Sequence, residues 1–224
     1  MSKQKDNSTL DAKLRLRRAV LKNAPPAPMV LETHGGNGRV YERAWYTASG
    51  GCVIEKDSGK IEQLAQQRPH WSVFEGDCIA ALGAGLMSST AFDVVDVDPY
   101  GSPLPIFDAL FHVERTFPER WHLVVNDGMR QKLQRGGAWH VAELARIVAR
   151  RGNNLAPVYL EVARELVEAF ALRIGYQVAG WHGYYTGDKG LMTHYWAVLE
   201  RISGAAAPAS GCDNPPADTA AGPS

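Results

Sequence analysis

Nothing in the sequence is apolar for long enough to span a membrane, and the first 23 residues, MSKQKDNSTLDAKLRLRRAVLKN, hold no apolar core of signal-peptide length. Both absences point away from a membrane or secreted protein, and a cytoplasmic one is expected. Cysteine is scarce: Cys52, Cys78 and Cys212 stand far apart and form no CxxC, so neither a disulfide framework nor a zinc site is expected. The seven histidines are scattered without metal-ligand spacing, no metal is expected, and the chain contains no internal repeat. Net charge is also missing, with 24 basic and 24 acidic residues, so any affinity for a polyanion has to come from local patches.

What is present is an ordinary globular composition, 45% hydrophobic and 21% charged over 224 residues, enough for one domain with a sizeable core. Its charge is uneven. Residues 1 to 23 carry seven cations against two carboxylates, residues 127 to 153 carry six against two, and the remainder is net acidic by nine. Such runs are either solvated helix faces or patches for an anionic partner, depending on whether they share a surface.

Hydrophobic period and turn signals alternate between strand and helix. Strands are expected at 28–34, 50–56, 70–77, 91–97 and 120–127; helices are expected at 39–47, 58–68, 103–117 (with proline in its opening turn) and 155–174. Residues 175–202 read as two long strands joined by a Gly-Asp-Lys-Gly turn. This alternation implies an α/β fold: a doubly wound, mostly parallel seven-stranded sheet with helices on both faces and a C-terminal antiparallel hairpin. The expected divisions are a basic N-terminal helical extension over 1–27, the main domain over 28–202, and a disordered tail over 203–224, rich in Ala, Pro, Gly and Ser.

The stretch VLETHGGNG joins the first strand to the next helix, where an open α/β sheet binds ligands. Gly36 and Gly38 give GxG, but Tyr41 stands where a dinucleotide fingerprint wants glycine, which weakens a nicotinamide reading. Acids then recur at successive strand ends: Glu32 in the first loop, Glu55 after the second strand and Asp77 after the third. Carboxylates at such rims accept hydrogen bonds from a ribose hydroxyl pair, an exocyclic adenine amine or an ammonium group, and S-adenosyl-L-methionine carries all three.

The series VLETHGGNG, VIEKD, EGDC and DVDPYGSP resembles the class I S-adenosylmethionine-dependent methyltransferases, over roughly Pro28 to Arg201. The resemblance implies a Rossmann-like methyltransferase fold. It also implies that Glu32, His34, Gly36 and Gly38 surround the methionine end of the cofactor, Glu55 the ribose, and Asp77 the adenine amine with Cys78 beside it. His34 stands in place of the family's usual first glycine, and Glu32 in place of the commoner aspartate.

Three carboxylates, Asp93, Asp96 and Asp98, crowd the apolar strand FDVVDV and its exit, and an unpaired buried carboxylate is costly, so at least one belongs at a rim. Asp98-Pro99-Tyr100-Gly101 is similar to the Asp-Pro-aromatic-Gly motif of the tRNA guanine N2-dimethyltransferases and, more widely, of enzymes that methylate base amines. Those guanine enzymes carry a further C-terminal RNA-binding domain with no counterpart in these residues. The resemblance implies catalytic roles for Asp98, Pro99 and Tyr100: Asp98 accepts the hydrogens of a poorly nucleophilic amine, and Tyr100 stacks on its ring. Asp96 is placed on the cofactor side, and Asp93 at the strand entry has no assigned role. Gly101, Asn126, Arg130, Lys132 and Arg135 are the expected substrate contacts, with RNA or DNA the expected partner. Methylation of a small molecule or protein, and a non-catalytic cofactor-binding subunit, remain as alternatives.

Overall fold

The computed structural model describes residues 9–134 and 141–204; Arg135 and all but the first two residues of the expected tail lie outside them. Helix α1 (Leu10–Leu21) precedes the sheet strands β1 (Met29–Glu32), β2 (Gly50–Glu55), β3 (Trp71–Glu75), β4 (Val94–Val97), β5 (Arg120–Asp127), β6 (Tyr176–Thr186) and β7 (Met192–Arg201). They form a seven-stranded sheet in the order β3-β2-β1-β4-β5-β7-β6. Strands β1 to β5 pair in parallel, and β7 runs antiparallel to both β5 and β6. Between them lie α2 (Arg39–Arg43), α3 (Ser58–Gln67), α4 (Cys78–Gly83), α5 (Leu104–His112), α6 (Met129–Gln134), α7 (Ala142–Arg151) and α8 (Tyr159–Arg173). The doubly wound sheet with its antiparallel C-terminal hairpin is the architecture expected.

Several details differ from expectation: α6 and α7 were not expected, and the helix expected over 39–47 ends at Arg43. The helix expected to reach residue 117 stops at His112, because Val113 turns to extended backbone. Strand β4 begins at Val94 rather than 91; Asp93 ahead of it accepts the Met29 N–H at 2.8 Å and pins β4 to the start of β1. Helix α4 was not expected: it has six residues, and its first turn is fixed by Asp77, whose side chain accepts from the Ile79 and Ala80 N–H groups as an N-cap.

The two faces of the sheet are covered differently. On one, Val30, Val53, Val94 and Val124 pack with Trp45, Trp71 and the α1 side chains Leu14, Leu16 and Val20. Burying each of those three contributes about 1.5–3 kcal/mol, so α1 is a packed layer of the core. On the other face Leu31, Ile54, Val95, Val97, Leu123 and Val125 meet Leu82, Phe107, Phe170 and, from α7, Leu144 and Ile147. The helices α1 and α7, one from each basic segment, therefore pack on opposite faces of the sheet. No helix among the described residues is long and apolar enough to cross a membrane.

Candidate active site

Strands β1 and β4 are neighbours at the point where the strand order reverses, which opens a crevice above their carboxyl ends. The loop leaving β1 is pinned beneath: the Thr33 N–H donates to the Asp96 carbonyl at 2.9 Å and the Gly35 N–H to that of Ile54 at 3.0 Å. Gly36 (φ +53°) and Gly38 (φ +74°) adopt the left-handed backbone that glycine favours, and a Cβ added at Gly36 would meet nothing within 4 Å. The loop thus presents a bare backbone face at Gly36. Glu55 secures it, one carboxylate oxygen accepting the Gly36 N–H at 2.7 Å and the other the Asp57 N–H at 2.9 Å.

His34, Cys78 and Asp77 stand beside this loop. The His34 ring has Nδ1 at 2.9 Å from Thr33 Oγ1 and Nε2 at 3.5 Å from Cys78 Sγ. Burial lowers the His34 pKa, which keeps the ring neutral, and burial pushes the Cys78 thiol up to about 11. Asp77 is half-buried; the Ala80 N–H and Lys56 hold its carboxyl below the usual carboxylate range. Glu32 is not at this rim. It is buried on the α1 side of the sheet with Arg68 Nη2 at 2.6 Å, and burial raises its pKa to about 7 against the pull of that guanidinium, which itself lies over the Tyr41 and Trp71 rings.

At the end of β4 the carboxylates are met by α1. Asp96 is enclosed, accepting Arg17 Nε at 2.7 Å, Arg17 Nη2 at 2.5 Å and Trp45 Nε1 at 2.8 Å. Arg17 itself is fully buried, a bidentate pair that leaves Asp96 no solvent face. Two residues on, Asp98 keeps an 18% exposed side chain and accepts Lys13 Nζ with both oxygens, at 2.8 and 2.7 Å. Burial would raise the Asp98 pKa, but Lys13, Arg17 and the Asn126 amide hold it below its ordinary 3.8. Asn126 is buried, 3.4 Å from Arg17, and pairs across β5 and β7 with His194, which burial drives down to about 3.

The turn after Asp98 is fixed by close backbone approach. Gly101 (φ +116°) accepts the Gly128 N–H at 2.8 Å, and a Cβ on Gly128 would come within 3.1 Å of the Gly101 backbone. Tyr100, ahead of it, is 79% exposed. Lys132 runs alongside: a Cβ on Gly101 would lie 3.3 Å from Lys132 Cε.

The structure thus brings His34, Gly36, Gly38, Glu55, Asp77 and Cys78 around the ends of β1 to β3, and Asp98 to Gly101, Asn126 and Lys132 around those of β4 and β5. Glu32 and Asp96 sit below them. Arg130 is drawn away, donating to the Ala156 carbonyl at 2.9 Å and to that of Gly190, with its guanidinium 4.2 Å from the Tyr185 ring centroid. Arg135 lies outside the described residues. Part of the charge excess of residues 127–153 is offset from outside the segment, Arg150 pairing with Glu165 and Arg151 with Glu161 and Glu165 of α8, while Arg146 pairs with Glu143 within it. Lys13 and Arg17, which sequence reasoning missed as site residues, were signalled only by their four-residue spacing, which puts both on one helix face.

No family model matches the sequence, and no curated protein matches it. Solved structures do resemble the chain. They include the N-methyltransferase NodS from Bradyrhizobium japonicum in complex with S-adenosyl-L-homocysteine, at TM-score 0.56 and 15% identity over 88% of this chain and 89% of that one. A putative hemolysin from Streptococcus thermophilus aligns at TM-score 0.57 and 15% identity over 90% and 69% of the two chains. The B. subtilis M1A22 tRNA methyltransferase TrmK aligns at TM-score 0.50 and 12% identity over 84% and 65%. At such identities the likeness is one of architecture, and the architecture is the Rossmann-like methyltransferase fold.

Proposed function

We propose that the protein is an S-adenosylmethionine-dependent N-methyltransferase that acts on an exocyclic amine of a nucleobase in nucleic acid. The observation that carries this reading is Asp98: an ionised carboxylate at the end of β4, reaching solvent, with both oxygens already holding the hydrogens of an amine nitrogen, that of Lys13. A base amine is a poor nucleophile because its lone pair is delocalised into the ring. An acceptor of this kind draws the nitrogen toward tetrahedral geometry and aims its lone pair.

The residues of the glycine loop fit the cofactor. Gly36 offers a bare backbone face, and each Glu55 oxygen accepts one N–H and keeps a further lone pair for a ribose hydroxyl. Asp77 presents a half-buried acceptor for an adenine amine. Bound there, S-adenosylmethionine supplies an electrophilic methyl group. The chain's own contribution is placement. The Gly101 to Gly128 bond fixes the turn, the exposed Tyr100 ring stacks on the base, and the incoming amine displaces Lys13 from Asp98. For a duplex target the base has first to leave its stack. Because Asp98 is held ionised, it accepts hydrogen bonds without retaining the proton, which passes to solvent from the methylated nitrogen.

The test is incubation with methyl-labelled cofactor and separate pools of tRNA, rRNA, DNA and protein, followed by hydrolysis to nucleosides. The reading expects label on an exocyclic nitrogen of one base. Label confined to protein, or a methyl on carbon or oxygen, overturns it.

A further inference from the structure

We infer that the outer face of α1, together with Arg43 of α2, is a docking groove for the phosphodiester backbone of a nucleic acid. A groove of about 790 Å³ runs along this helix, lined by Arg15, Arg18, Lys22 and Arg43 with Asn23 and a single carboxylate, Asp11. All four cations are exposed, and among the described residues none of them forms an ion pair. That sets them apart. The arginines of α7 are paired with glutamates, and a second cavity, of about 650 Å³, has Arg115 bonded to carbonyls, Arg173 to Glu143 and Arg201 to Glu119. The Arg15 guanidinium lies over the Tyr184 ring, 5.9 Å from its centroid.

Like charges three and four residues apart disfavour a helix, and among the described residues only Asp11, four residues before Arg15, stands on that face to offset them. Arg15, Arg18 and Lys22 share one face and extend over about 10 Å of helix axis, a row of charge suited to a polymeric anion rather than a single one. With Asp11 subtracted the groove is still net basic, in a chain whose total charge is zero. The opposite side of the same helix places Lys13 on Asp98. The groove is thus on the side of α1 turned away from that carboxylate, and that a strand held there carries its base around the helix to Asp98 rests on the function proposed above.

The test uses the full chain and a mixed tRNA pool, with binding measured across a series of KCl concentrations for the parent and for R15Q/R18Q/K22Q/R43Q. Each lost phosphate contact lowers the slope of log K against log salt by about 0.7–0.9, so the variant's slope should fall by about 3 while S-adenosylmethionine binding stays parental. An unchanged slope overturns the proposal. So does a loss of slope in R146Q/R150Q/R151Q instead, or a parent that binds phosphatidylcholine–phosphatidylserine vesicles but not tRNA. The two readings fail separately. Parent protein that binds tRNA through the groove yet labels no nucleic acid refutes base methylation alone, and labelling of tRNA with an unchanged slope in the groove variant refutes the groove alone.

Discussion

Replacing Arg17 with methionine removes the cation that joins α1 to Asp96 of β4 and leaves that carboxylate buried, with Trp45 Nε1 at 2.8 Å as its remaining side-chain donor among the described residues. Breaking a buried ion pair by deleting one partner costs about 3–5 kcal/mol, because the other charge is left uncompensated. Since Trp45 still donates, the lower end applies, and R17M is expected to lose about 3 kcal/mol. Against a total stability of roughly 5–15 kcal/mol that is a large fraction, equivalent to a drop in Tm of about 6–12 °C for a chain of this size. Urea denaturation at neutral pH measures it. R17M/D96L removes both charges and should recover most of the loss, as apolar replacement of a buried pair is often neutral. A loss in R17M below about 0.5 kcal/mol, or a double variant no more stable than the single one, refutes the reasoning that α1 is bound into the core through this pair.

Glu55→Ala should weaken S-adenosylmethionine binding by about 1–3 kcal/mol in calorimetry, since it removes both a proposed ribose acceptor and the anchor of the Gly36 N–H; parental affinity would remove the ribose assignment. Asp127, which burial raises to about 7 from an ordinary 3.8 while Met129, Tyr159 and Tyr195 donate to it, binds its proton more tightly folded than unfolded. Its contribution is therefore most favourable below pH 3.8 and is lost as pH rises toward 7, so the gap in stability between parent and D127N should shift across that window. Parallel stability curves for the two proteins would contradict it.

The sheet was legible because its information is local. Runs such as VVDV and HLVV, and the alternation of apolar strands with turn residues, report burial on two faces without reference to anything distant. The rim was legible for a similar reason: Gly36, Glu55, Asp77 and Asp98 stand at strand ends. What was not legible depends on partners far apart in sequence. The apolar spacing of Leu14, Leu16 and Val20 shows that α1 buries a face, but not that Lys13 lands on Asp98, 85 positions away, or that Arg17 reaches Asp96, 79 away. Arg150 and Arg151 read as an anion-binding run because the glutamates that neutralise them belong to the next helix. The pairing of Glu32 with Arg68, 36 positions away, is likewise invisible from its neighbours in sequence.

The central claim is that Asp98 orients an acceptor amine while taking little part in holding the cofactor. Its most direct test is a paired measurement on Asp98→Ala: S-adenosylmethionine affinity by calorimetry, and single-turnover methyl transfer to whichever nucleic acid the parent labels. Loss of placement should fall on turnover. The account predicts near-parental affinity with transfer reduced by at least about a hundredfold, equivalent to about 2.7 kcal/mol in the barrier. It also predicts that Tyr100→Ala weakens capture of the acceptor by about 1–3 kcal/mol where Tyr100→Phe does not. Transfer by Asp98→Ala at the parental rate, or a loss that falls on cofactor binding instead, would contradict it.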